Sequence, residues 1–516
     1  MANTTLFGSL GGLIPRATTR NEAGGAAHQR PPEQALAQYA ATGCMNATFY
    51  ASDAGQLDRV LDLASRVSPA FVAKTAIYCR QRGHMKDVPA LLLAILSRRD
   101  PALMDGVFDR VVDTPRMLRT FVQIVRSGVT GRKSLGSAPK RCVRRWLDRR
   151  SDAAVFAASI GRDPSLVDVV RMVHPKPGTP ARAALYAYLL DRNPDLARVP
   201  ELVQRFEAFK AGALTEVPDV PFQMLTGLAL DRSAWRAIAR TASWQATRMN
   251  LNTFARQGVF ADGELVEVIA ARLRNAEAIA SARVFPYQLL AATRALAAEV
   301  PLAIRSALED AIELSLGNVP QIAGQIFVCP DVSGSMASPL TGVRGSATTA
   351  IRCVDVAALV TAALLRRNPT ADVLPFEERV VPLRLSPRDT VATNAERLAA
   401  VNGGGTRVSA PLAALNARRA SGELVVVVSD NQSWAGGKGG RGTETMREWQ
   451  VFRTRNPGAR LALIDLQPGA TTQAIDRDDI LNVGGFSDDV FTVLGEFAAG
   501  QLNGTQWIDR IEAIAV

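Results

Sequence analysis

The sequence predicts two domains of different class: an all-α array of short helices, then an α/β domain with a mostly parallel sheet. Three observations predict this. Apolar residues recur at helical spacing from Pro31 to about Gly317. Beyond Gly317, β-branched runs of strand length alternate with helical stretches, the mark of a parallel sheet covered on both faces. The charge is divided as well. Of 60 basic and 49 acidic side chains, residues 321–516 hold 19 and 20, so residues 1–320 hold 41 and 29, a net of +12.

In chain order, residues 1–30 are rich in Gly, Ala, Thr and Asn without an apolar period and are expected to form a flexible N-terminal arm. Residues 31–317 read as helices. Leu57, Val60, Leu61, Leu63, Ala64 and Val67 make one apolar stripe, and Phe71 to Arg82, Val88 to Leu96 and Met117 to Val125 make others. Asp100-Pro101, Asp163-Pro164 and Asn193-Pro194 punctuate them. Many helices with short links predict stacked antiparallel pairs, a HEAT-like repeat array, although no strict sequence repeat is visible. In residues 318–516 the expected strands are Gln325–Cys329, Ala371–Phe376, Leu424–Ser429 and Arg460–Leu466. A helix is expected over Ala350–Arg367, with Ile351, Val354, Ala358, Ala362 and Leu365 on one face. Ligands of such sheets sit at the carboxyl ends of the strands.

Composition excludes several classes. No apolar run approaches the ~20 residues that span a bilayer, so no membrane partner is expected. No basic segment followed by an apolar one marks a signal peptide, and the cytoplasm is the expected compartment. Cys44, Cys79, Cys142, Cys329 and Cys353 are scattered without a CxxC pair, which predicts reduced, buried thiols.

Three polar loops fall at or near strand ends: Asp331-Val332-Ser333-Gly334-Ser335, Gly403-Gly404-Gly405-Thr406 and Ser429-Asp430-Asn431. Taken singly, Asp331 would be a helix cap and the glycines a turn. Together the loops offer carboxylates and hydroxyls to one point, the all-oxygen set of a hard divalent cation such as Mg²⁺. Ser333, Ser335 and Thr406 would ligate directly, and Asp331 and Asp430 through water or by orienting the hydroxyls. An open position could take a carboxylate or phosphate oxygen from a partner. His28, His84 and His174 all lie in the first half, and no catalytic base stands out.

The first half carries a dense basic run. Residues 116–150 contain eleven Lys and Arg against one acid, Asp148. The Arg132-Lys133 pair lies in a Gly-bounded loop, and from Lys140 a helix puts Arg141, Arg145 and Arg149 on one face, with Arg144 beside them. Such a stripe repels itself, and without acids to neutralise it a phosphate-bearing partner is expected. His174 and Lys176, in His174-Pro175-Lys176-Pro177, would sit on an extended surface segment. Arg248, Asn252 and Arg256 share a second helix face suited to phosphates and base edges.

The motifs DVSGSM at 331–336, GGGT at 403–406 and VVVVSD at 425–430 resemble, in that order, the metal-ion-dependent adhesion site of a von Willebrand factor A domain. Ser429-Asp430-Asn431 departs from the usual Thr-Asp-Gly, and Arg407 places a cation beside the site. In the first half, Tyr39 to Gly43 with Thr48 to Tyr50, Ala76 to Gly83, Gly131 to Lys133, His174 to Pro177 and Ser281 to Tyr287 resemble the TROVE module. Together they resemble the Ro autoantigen family, including its bacterial Rsr-like members, over roughly residues 30–516. That resemblance implies helical repeats closed into a ring, binding of small structured non-coding (Y-like) RNA on a basic outer face, and capture of single-stranded ends of misfolded RNA in a central hole. It also implies an exoribonuclease partner such as polynucleotide phosphorylase. The expected function is non-enzymatic RNA binding in non-coding RNA quality control. The alternative is a metal-dependent protein-docking module with the helical half as scaffold.

Overall fold

A computed structural model describes residues 14–516 apart from 44, 193, 283–285, 318, 342–350, 402, 436–441, 488 and 503–505. Cys44, Asn193 and the Arg283-Val284-Phe285 part of the Ser281 to Tyr287 motif therefore lie outside the described residues. The described residues form two compact units. One gathers those of 1–88, 284–291 and 312–515, the other those of 89–283 and 292–311.

The first unit contains β1 (Thr19–Arg20), β2 (Ala26–Gln29), β3 (Ile326–Pro330), β4 (Asp372–Val373), β5 (Leu424–Ser429), β6 (Arg460–Asp465), β7 (Thr471–Thr472) and β8 (Ile480–Gly484). The main sheet has the order β4-β3-β5-β6-β8, and every neighbouring pair is parallel. All residues of β3, β5 and β8 are buried, as a sheet covered on both faces demands. One face packs Phe327, Cys329, Val425, Val427, Leu461 and Leu463 against Trp449 and Phe452 of the helix Glu444–Arg455. The helix Cys353–Arg367 is buried along nearly its whole length, and all of Ile351, Val354, Ala358, Ala362 and Leu365 are inside.

The four strands expected from the apolar runs are present. The fifth, β8, escapes a hydropathy reading because Asn482 sits at its centre and acidic residues precede it. Asn482 is fully buried and satisfied, accepting from the Thr472 hydroxyl at 2.6 Å and donating to the Ala474 carbonyl at 2.8 Å.

The described part of residues 1–30 is not a free arm. β1 and β2 form a hairpin, and β2 pairs antiparallel with β7 through His28↔Thr472 and Gln29↔Thr471. Arg30 then enters the interior and pairs with Asp465, the last residue of β6, both side chains being almost wholly buried. The Arg30 Nε–H also donates to the Thr471 carbonyl at 3.0 Å. A short polar segment shows no apolar period because pairing and one buried ion pair, rather than a hydrophobic face, hold it.

Residues 31–88 likewise group with the C-terminal part, so compactness does not change at residue 317. Helical periodicity reveals that a segment buries one face; it does not reveal against what. The helices Pro32–Thr42, Asp53–Arg66 and Pro69–Gln81 lie in this unit, with Tyr78 donating to the Asp489 carboxylate at 2.5 Å.

The second unit is helical throughout its described residues. Of the punctuation seen in the sequence, Asp100-Pro101 is a helix cap, and Thr114-Pro115 is another. Asp100 and Thr114 each accept from a backbone N–H three residues on, with proline at the first helical position. Ser165 and Asp168 make a reciprocal capping box for Leu166–Val173. The helix Ser137–Asp148 buries Pro139, Cys142, Val143, Trp146 and Leu147, with the Trp146 indole donating to the Val112 carbonyl at 2.6 Å. Cys79, Cys142, Cys329 and Cys353 are free and buried, as expected.

Removing one member of a buried pair strands the other charge. Arg30→Ala should therefore cost about 3–5 kcal/mol in urea unfolding, and Arg30→Met combined with Asp465→Leu far less. Equal losses in the single and double variants would contradict this account of the segment.

Candidate functional site

Parallel register sets the first site. Pairing of Pro330 with Val428 and of Ser429 with Asp465 brings the ends of β3, β5 and β6 side by side. Asp331, Asp430 and Asp465 thus emerge on one edge, each no more than 3% exposed. The Ser429 hydroxyl donates to Asp331 Oδ2 at 2.6 Å, and the Ser333 N–H donates to Asp331 Oδ1 at 2.9 Å. The Ser333 and Ser335 hydroxyls are 3.4 Å apart. Asp430 takes hydrogen bonds from Ser335 and, at 3.1 Å, from the Gln432 N–H.

Backbone bonds join the glycine loop to both neighbours. The Gly334 N–H donates to the Gly404 carbonyl and the Gly403 N–H to the Val332 carbonyl, each at 3.1 Å. The Trp434 and Ala435 N–H groups donate to the Thr406 carbonyl at 3.0 and 3.1 Å. Gly404 has φ +73°, and a Cβ there would stand 1.7 Å from a Glu377 carboxylate oxygen, so only glycine serves. Thr406 is buried. The structure thus brings all five expected residues, Asp331, Ser333, Ser335, Thr406 and Asp430, into one set of interlocked loops.

Electrostatics show what this set lacks. Burial pushes the Asp331 carboxyl up, against hydrogen bonds from Ser333 and Ser429. Burial and then the charge of Asp331 push Asp430 up to about 7. Burial pushes Asp465 up to about 6, with Arg30 opposing. Three carboxylates and one guanidinium leave a deficit of positive charge amid oxygen donors, a combination that suits a hard dication.

The two departures from the usual motif have physical explanations. Arg407 turns to Glu444, its Nε–H donating to Oε2 at 3.1 Å, while the Ser409 hydroxyl donates to the same carboxylate at 2.9 Å. Its charge is spent there. Asn431 stands where the motif has glycine because it takes φ +63°, which asparagine tolerates, and its amide donates to Asp465 at 3.2 Å.

The second unit holds the basic candidates. Arg141, Arg145 and Arg149 do share a face, but two carboxylates offset most of its charge. Asp105 and Asp109, one turn apart on Pro101–Val111, pair with them: Arg141 Nη2 to Asp105 at 2.8 Å, Arg145 Nε to Asp109 at 3.3 Å, with Arg145 also on Asp105 and Arg149 on Asp109. Slight burial works against ionisation of Asp105, yet hydrogen bonds from Arg141 and Arg145 outweigh it and hold the carboxyl down to about 2. The expectation of an unpaired stripe fails because the acids lie 36 to 40 residues upstream. Their i, i+4 spacing on an amphipathic helix was the available signal.

Other cations of the run remain. Arg132 is half-buried and donates to the Leu135 carbonyl at 3.2 Å within its own loop. Lys133 is exposed and Lys140 half-buried. Arg144 is exposed and its Nε–H donates to the Val173 carbonyl at the end of Leu166–Val173. The next residue, His174, terminates that helix with φ 49° and is exposed, as is Lys176. One hydrogen bond thus joins the basic helix to the His174-Pro175-Lys176-Pro177 segment. Among the described residues, Lys133, Lys140, Arg144 and Lys176 make no ion pair.

The third candidate face changes character. Asn252 donates to the Ala295 carbonyl at 2.7 Å and accepts from the Ala297 N–H at 2.9 Å. Its amide holds a loop and is not available to a base edge. Arg256 is exposed and reaches the Thr253 hydroxyl at 3.3 Å, and Arg248 is half-buried. Sequence reading missed Asp465 and Arg30. The strand run ending in Asp465 was a signal for the first; nothing marked the second.

A helical-repeat region combined with an α/β domain carrying these loops defines the class: a helical module joined to a von Willebrand A-type domain. Comparisons narrow it. Residues 325–498 match the family model of the Ro60 vWA domain. The chain is 27% identical to the RNA-binding protein RO60 of Deinococcus radiodurans, over 94% of this chain and 96% of that one. The crystal structure of the Deinococcus radiodurans RO (RSR) protein has the same fold, with a TM-score of 0.62 and 21% identity, over 92% of this chain and all of that one. Residues 325–498 are thus similar to a Ro60 vWA domain, and the chain is similar to a Ro-type protein over nearly its whole length, in line with its motifs. No helix among the described residues is long and apolar enough to cross a membrane.

If Asp105 and Asp109 neutralise the arginine face, Asp105→Asn with Asp109→Asn should delay elution from heparin to higher salt. Unchanged elution would show that the pairs do not limit the basic surface.

Proposed function

We propose that this protein binds RNA without acting as an enzyme, through the second unit. The observation that carries this is the hydrogen bond from Arg144 to Val173. It unites Lys140 and Arg144 with the His174 and Lys176 segment, and among the described residues no carboxylate pairs with Lys140, Arg144 or Lys176. Phosphates are held by such groups, with release of counterions. Lys133 and the Arg132 loop, next in sequence, extend the same contact region. The RNA-binding name of the Deinococcus radiodurans relative supports the reading. The RNA classes are those the family resemblance implies: small structured, Y-like RNA and the single-stranded ends of misfolded RNA, in non-coding RNA quality control with an exoribonuclease such as polynucleotide phosphorylase.

The loops around Asp331 take a divalent cation, Mg²⁺ foremost, in this proposal. Ser333, Ser335 and Thr406 hold it, and Asp331 and Asp430 orient them. The cation supplies charge compensation at the sheet edge and does no chemistry on RNA. The expected compartment is the cytoplasm.

Fluorescence anisotropy with a labelled structured RNA tests this. Binding should weaken with salt, log Kd changing by about 0.7–0.9 per phosphate contact for each log unit. Lys133→Glu with Arg144→Glu should weaken it across sequences and flatten the slope. Asp331→Ala should leave affinity within about twofold, since the phosphate-binding cations do not depend on it. Binding no tighter than to a neutral control protein at low salt would overturn the proposal.

A further inference from the structure

Beside Ser335 and Asp430 lies a small pocket to which the chain's own N-terminal segment contributes part of the wall. Its lining includes Glu22, Tyr50, Ser335, Asp430, Gln432 and Gln467. Glu22 sits in the turn of the β1–β2 hairpin. The Tyr50 hydroxyl is hydrogen-bonded with Ser335, and the charges of Asp430, Asp331 and Glu22 all act on it. Gln432 is 3% exposed, yet among the described residues its Oε1 has no hydrogen-bond partner, and neither has the Gln467 Oε1. Unsatisfied buried oxygens are unfavourable unless water or a cation occupies the pocket, and the carboxylates beside it favour a cation.

The turn is held firmly in place. Asn21 Nδ2 donates to the Ser433 carbonyl at 2.8 Å. A Cβ on Gly25 would stand 1.9 Å from that same oxygen. Asn46, leading into the Thr48 to Tyr50 stretch, donates to the Thr341 carbonyl at 2.9 Å.

We propose that Glu22 is the carboxylate that completes the metal site, so that the position otherwise open to another protein is filled from within the chain. The inference rests on the reading of these loops as a metal site. Six oxygens are needed for Mg²⁺, usually with some water among them. The three hydroxyls and Glu22 supply donors, and the free oxygens of Gln432 and Gln467 suit hydrogen bonds from metal-held water. The Tyr50 hydroxyl, bonded to Ser335, positions a ligand rather than being one. Arg59 is the attractive charge acting on Glu22 in the protein itself, and both residues are exposed, so that pair competes weakly.

The test uses the full chain and Mn²⁺ titration followed by electron paramagnetic resonance. The wild type should bind Mn²⁺. Glu22→Gln should weaken binding by about tenfold or more, Glu22→Asp less, and Tyr50→Phe less still. Asp331→Ala should abolish it. Mg²⁺ should also protect the segment around residues 14–50 from proteolysis in the wild type but not in Glu22→Gln. If Glu22→Gln binds Mn²⁺ as the wild type does while Asp331→Ala does not, closure from within is wrong and the metal site stands. If the wild type binds no Mn²⁺, both fall.

Discussion

Three carboxylates buried side by side against one arginine constrain much of the first unit. Asp331, Asp430 and Asp465 stand at the ends of adjacent strands because parallel register puts them there. Each resists ionisation through burial, and they repel one another. The protein answers with hydroxyls and with Arg30, which comes from 435 residues away along the chain. That reach accounts for the path of residues 19–30. A hairpin and a strand added to β7 are what it takes to deliver one guanidinium to Asp465 with its other hydrogen bonds satisfied. The remaining charge imbalance is the physical reason to expect a dication.

In the second unit the same logic runs with opposite sign. An excess of cations is partly answered by Asp105 and Asp109, and the excess left over includes Lys133, Lys140, Arg144 and Lys176. The arginine pairs there are largely exposed at Arg141 and Arg149, at 60% and 63%. Pairs of that kind contribute roughly 0–1 kcal/mol each. Their effect is on the field that a phosphate meets rather than on stability. A polyanion can draw such arginines away at small cost, so they form a reserve behind the unpaired cations.

Legibility from sequence divided along physical lines. Local rules were readable. Asp100-Pro101 is a helix cap, the Val425–Val428 run is a central strand, and the three polar loops lie where parallel strands end. Pairings set by tertiary contact were not. The Arg30–Asp465 bond, the Asp105 partners of the arginine stripe and the use of the Asn252 amide to hold Ala295 and Ala297 all join residues 36 or more apart. A charge run in sequence reports the composition of a face; its net charge depends on the helix packed beside it. β8 was hidden for a related reason, since Asn482 breaks an apolar run yet is satisfied by neighbours that only the fold supplies.

The proposed closure from within would change what a metal site here is for. A carboxylate on a tethered turn competes at high effective concentration, so a foreign carboxylate must displace it before docking. Displacement would also free the turn at Gly25 and Asn21, which pack on the Ser433 carbonyl. The ion would then act mainly on folding, adding its binding energy to the segment that Arg30 already anchors. Two anchors on one short piece of chain do not contribute independently. Arg30 lowers the negative charge the ion sees, while the ion relieves repulsion that Arg30 relieves only in part. Each also reduces the freedom that the other must remove. The sign of their coupling is set by whether ordering or charge dominates. With seven residues between Glu22 and Arg30, joined by a hairpin strand, shared ordering outweighs partial screening, and the two anchors reinforce each other.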